Sequence, residues 1–80
     1  MKYDIKKSTR KFKKYMAVFR DKTIHFGDNR YEQYKDSTPL KIYKHLDHND
    51  EKRKRNYYSR HGKAELHSSK WFSHKYLWSR

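Results

Sequence analysis

No cysteine occurs in the 80 residues, so no disulfide can reinforce a small core, and the redox compartment is left open. Glycine appears only twice and proline once, which excludes a Gly-rich phosphate loop. No nucleophile-elbow pattern is present either. Acid is scarce: nine Asp and Glu stand against 22 Lys and Arg, a formal net charge of +13. No apolar run approaches the roughly 20 residues that a membrane helix needs. The basic N-terminus lacks a following apolar stretch, so no signal peptide is expected and a soluble intracellular protein is the default.

What is present is charge and aromatic surface. Apolar residues make up only 32% of the chain and charged ones 39%, a balance close to that of chains that cannot offset their ordering entropy. Against disorder stand two Trp, eight Tyr and four Phe, each with a large apolar area to bury. One small domain with a modest core is the size that results.

The charge is segregated. Residues 1–20 hold eight Lys/Arg against Asp4, a balance of +7; residues 21–50 hold five against six acids, −1; residues 51–80 hold nine against two, +7. Two basic blocks around a near-neutral centre predict one split or two separate contact surfaces for a polyanion, sensitive to salt.

In the first block Lys6, Lys7, Arg10, Lys11, Lys13 and Lys14 have too little apolar company to fold alone, and residues 1–14 are expected as a flexible basic arm. The arm is either a solvated tail or a contact for phosphates or carboxylates, and a nuclear localisation signal has the same composition. Residues 15–80 are then expected as a small α+β domain. Tyr15–Arg20 and Thr23–Gly27 are β-prone runs around Asp21-Lys22 and predict a hairpin, with Ala17 and Phe19 on one face and Ile24 and Phe26 on the partner's. Gly27 can end the second strand at positive φ.

Two or three short helices should follow. Tyr31 and Tyr34 suggest one turn, and Leu40, Tyr43 and Leu46 recur at spacing three after the Asp36-Ser37-Thr38-Pro39 turn. Asp47 or Asn49 could cap a helix that begins with Asp50 and Glu51, runs through Lys52–His61 and stops at Gly62. Ser68 or Ser69 would cap a last helix, Lys70 to Trp78, with Trp71, Lys75 and Trp78 on one side and Phe72 and Tyr76 beside them.

The basic helix carries the second group of candidate nucleic-acid contacts: Lys52, Arg53, Lys54, Arg55 and Arg60, with Lys63 beyond it. Tyr57 and Tyr58 either stack on bases or fill the core, and the cations are equally compatible with a solvated face. Trp71, Phe72, Leu77 and Trp78 read most simply as core. Six histidines without cysteine or a ligand spacing give no metal site, and no cofactor is expected. His48 with Asp47 or Asp50 is a nuclease-like pair that many small proteins share, so no enzyme activity is expected.

Several blocks in order also carry a family resemblance. They are Lys22-Thr23-Ile24-His25-Phe26-Gly27, then Tyr31 and Tyr34, then Asp36-Ser37-Thr38-Pro39-Leu40, and Leu46-Asp47-His48-Asn49-Asp50. Arg53, Tyr57-Tyr58, Arg60-His61-Gly62-Lys63 and Trp71–Trp78 continue them. Over residues 14–78 the chain resembles a small uncharacterised family encoded by large nucleocytoplasmic DNA viruses, including algal phycodnaviruses and their giant relatives. The resemblance implies a viral setting, in the virion or in the nucleus or virus factory of an infected cell, and transfers no activity. The expected role is a non-enzymatic structural or packaging protein. Its partner would be DNA, read with little sequence preference, or acidic surfaces of viral structural proteins in a minor capsid (cement) role.

Overall fold

A computed structural model describes residues 3–79; Met1, Lys2 and Arg80, the ends of the expected arm and domain, lie outside the described residues. The chain forms a small α+β domain with a three-stranded antiparallel sheet and two helices. Strands β1 (Asp4–Lys7), β2 (Lys13–Val18) and β3 (Thr23–Asp28) lie in the order β1-β2-β3.

The expected hairpin is β2–β3. Val18 opposes Thr23 and Tyr15 opposes Phe26, and the Phe19 N–H closes the turn on the Lys22 carbonyl at 2.8 Å. Strand alternation then aims Tyr15, Ala17 and Phe26 at one face, where they are fully buried together with Phe19. That face is covered by helix α2 (Ser69–Tyr76), which brings Phe72 and then Leu77. Phe26 stacks on Phe72 with centroids 5.4 Å apart, and Tyr3, Ile5, Trp71 and Tyr76 pack around them. Aromatic area thus supplies the core that aliphatic content could not.

The segment expected as a flexible arm outside the domain is part of it from Tyr3 onward. β1 pairs with β2 through Ile5↔Ala17 and Lys7↔Tyr15, and the Tyr3 hydroxyl lies 2.8 Å from that of Tyr76. Lys13 and Lys14 belong to β2 itself. Backbone pairing with a central strand supplies the order that the composition of Asp4–Lys7 does not.

Helix α1 (Glu51–His61) begins and ends as its sequence dictates, except that Asp50 is the cap: its carboxylate accepts from the N–H groups of Lys52 and Arg53. Gly62, at φ +62, ends it, and its N–H returns to the Tyr58 carbonyl. In α2 the Ser68 hydroxyl caps the Trp71 N–H at 3.1 Å.

Between β3 and α1 the turn expected at Tyr31 and Tyr34 does not form, and the short helix expected over Leu40, Tyr43 and Leu46 forms only in part. Lys41 takes a positive φ of 51°, the Ile42 N–H donates to the Tyr15 hydroxyl, and the Tyr43 N–H donates to Asp36. Side chains thus capture the amides that a helix would need, and only a 3-10 turn at Lys44–Leu46 survives. Around Tyr31 and Tyr34, Gln33 instead makes an isolated parallel bridge with Asp47.

Candidate functional site

Under that linker lies a buried polar cluster. Lys14, Gln33, Asp36 and Thr38 are each at most 2% exposed. The Lys14 ammonium donates to the Tyr31 carbonyl at 2.8 Å and to the Gln33 side-chain oxygen; the Gln33 amide donates to the Tyr43 carbonyl at 2.8 Å and to Asp47. Asp36 accepts from the Tyr15 hydroxyl, from the Thr38 N–H and hydroxyl, and from the Tyr43 N–H. Burial pulls the Lys14 ammonium down to about 8, against the pull of Asp28, Asp36 and Asp47. Burial, then the bond to Asp36, pushes the Tyr15 hydroxyl up to about 12. Lys14, Tyr15, Gln33 and Thr38 all donate to acceptors inside the protein, so the cluster is a structural unit holding the 31–47 linker to the sheet.

The open surface next to it is different. A groove of about 570 Å³ runs between the Lys13–Asp28 end of the sheet, the last turn of α1 and the first turns of α2. Besides the buried Lys14, its cations are Lys13 from the first basic block and Arg60 and Lys70 from the second, so the fold brings the two blocks together. None of the three makes an ion pair among the described residues. The acids of the rim are already engaged, Asp28 by Arg30 at 2.8 Å and Glu32 by Arg53 at 2.9 Å. Rings line the rest: Tyr31, Tyr57, His61 and Trp78. Trp78 stacks on Tyr57 with centroids 4.2 Å apart and planes within 3°. Burial, then Arg60, Lys70 and His74, hold the His61 imidazole below its ordinary value. A second hollow of about 590 Å³ shares Tyr31, Glu32, Arg60, His61 and Trp78 with the first and adds Arg53 and Asn56.

The twelve cations expected to meet nucleic acid divide sharply. Lys13, Lys14, Arg53 and Arg60 line the groove system. Lys6 and Lys7 are exposed on β1, Arg10 and Lys11 on the β1–β2 connection, and Lys52, Arg55 and Lys63 on or just after α1. Lys54 is turned to its own helix, 3.2 Å from Glu51 and 4.1 Å above the Tyr34 ring. Lys14 is a correction: its ammonium is consumed inside the protein and offers nothing to a phosphate. Tyr57 is core, and Trp78, expected as core, is half-buried on the groove. Lys70 and Tyr31 were missed, although Lys70 follows the Ser68-Ser69 pair directly and Tyr31 is the first ring after β3.

The histidines are spread. His48 accepts the Asp50 N–H on Nδ1, while its Nε2 is buried without a partner, and the ring lies 5.2 Å from Trp78. His74 bridges the Tyr57 hydroxyl and the Gly62 carbonyl. Among the described residues no three His, Asp or Glu are placed to hold a metal ion, and no helix is long and apolar enough to cross a membrane.

No curated protein and no solved structure matches the chain. Residues 3–61 match a family described as a family of unknown function (DUF5754), a stretch that opens just before β1 and closes on the last residue of α1. It covers the sheet, the buried cluster and the basic helix, well over half of the sequence, and the chain belongs to that family.

Proposed function

We propose that the protein is a non-enzymatic binder of polyanions, with DNA as its first partner, serving a structural or packaging role. The observation that carries this reading is the groove in which Lys13, Arg60 and Lys70 stand without ion pairs while the neighbouring acids are neutralised. A phosphate chain supplies the missing charge, and its released counterions supply much of the free energy. The viral setting, in the virion or an infected cell, rests on the resemblance of the sequence blocks described above.

Binding of labelled DNA, as duplex and as strand, across a salt series tests it. Affinity should fall linearly on a log–log plot, and Arg60→Ala or Lys70→Ala should each lower the slope by roughly one unit. No binding of either form at roughly 0.15 M salt sinks the DNA reading. That outcome leaves the second one, a minor capsid protein held by acidic faces of other virion proteins. Leu40 and Ile42, exposed two residues apart on one loop, favour a protein contact of that kind.

A further inference from the structure

The exposed large apolar side chains among the described residues include two aromatic rings, Phe12 (41% exposed) and Tyr31 (65% exposed). They come from different loops, yet one guanidinium joins them. The Arg30 guanidinium carbon lies 4.4 Å from the Phe12 centroid and 5.8 Å from that of Tyr31. Asp28 fixes that guanidinium with two bonds, of 3.0 and 2.8 Å. The backbones beneath are fixed too: the Phe12 carbonyl accepts from Asn29, the Tyr31 carbonyl from Lys14, and the Tyr31 N–H donates to Asp28. Phe12 is moreover held at φ +67, a strained conformation for a bulky residue, in a turn that leaves its ring in solvent. Exposed rings on rigid backbone, spaced by a planar cation and leading into a cationic groove, make a stacking surface for flat partners.

Resting on the polyanion reading above, we infer that the Phe12–Arg30–Tyr31 row is a platform for unpaired bases, and that the protein's preferred ligand is a single strand. In a duplex the base faces are covered by their neighbours, so the rings would gain nothing from it. In a strand, bases stack on Phe12 and Tyr31 while the phosphates follow Lys11 and Lys13 toward Arg60 and Lys70. Lys11, whose ammonium stands 5.0 Å from the Phe12 centroid, places a cation at the entry.

The test compares oligo(dT), a duplex of equal length and heparin by fluorescence anisotropy at roughly 0.1 M salt, a range where phosphate contacts still register. The wild type should favour the strand. Phe12→Ala with Tyr31→Ala should weaken strand binding about tenfold or more, the range of lost base stacking, and weaken duplex and heparin binding far less. Tyr31→Phe, which keeps the ring, should retain the strand preference that Tyr31→Ala loses. Equal affinity for strand and duplex in the wild type, or an equal loss on all three ligands in the variant, overturns the platform while the polyanion reading stands. Failure of the wild type to bind any of the three removes the polyanion reading itself.

Discussion

The Tyr15 hydroxyl donates to Oδ2 of Asp36 at 2.5 Å, with Tyr15 fully buried and Asp36 1% exposed. That contact ties the central strand to the linker, because the same carboxylate also takes the Thr38 and Tyr43 amides. Asp36→Ala strands several buried donors at once and should destabilise the fold by about 3 kcal/mol, read from urea midpoints. Tyr15→Phe leaves the ring packed and should cost less, about 1–2 kcal/mol.

Stability should have an alkaline optimum. Lys14 titrates near 8 in the folded protein against 10.5 when free, so between those values the unfolded chain binds more protons and stability rises with pH. Tyr15 keeps its proton up to about 12 when folded and loses it near 10 when unfolded, so its contribution fades above pH 10. Urea midpoints taken at about pH 7, 8.5, 10 and 11 should climb toward pH 10 and then begin to fall. Lys14→Met should abolish the climb and leave the fall.

The two glycines differ in what surrounds them. A Cβ on Gly27 would lie 2.8 Å from Leu77 Cδ1 and 3.2 Å from Lys14, at φ +75, whereas one on Gly62 meets nothing within 4 Å. Gly27→Ala should therefore cost about 3 kcal/mol or more by thermal denaturation, strain and collision together. Gly62→Ala should cost about 1–2 kcal/mol, from backbone strain alone.

Helix α1 has Tyr57 as its one buried residue, so its stability depends on its ends. Asp50→Ala should cost about 1 kcal/mol and show first as faster amide exchange in the 51–55 turn, before any change in the sheet. An equal rise in exchange across β2 would mean that α1 unfolds only with the whole domain.

The parts legible in the sequence were those that signal locally. α1 announced itself by acids before bases and a terminal glycine, α2 by its serine cap, and β2–β3 by alternation around a polar pair. β1 was hidden because Asp4–Lys7 has one apolar residue and is ordered by pairing alone. The buried cluster was hidden because Lys14, Gln33, Asp36 and Thr38 are residue types that usually face water, and no local pattern says that four of them will satisfy one another. The groove was half legible. The two basic blocks named Lys13, Arg53 and Arg60, but their meeting depends on α2 folding back across β3, which only the tertiary structure supplies.

β1 stands at the end of the strand order, and it carries Lys6 and Lys7 in four residues. An outer strand is a template on which another molecule's strand can grow, and lysines there repel the copy that would attach. These two side chains thus oppose edge-to-edge pairing between copies of the chain. Their replacement by alanine should appear as light scattering at rising concentration, a symptom of filaments.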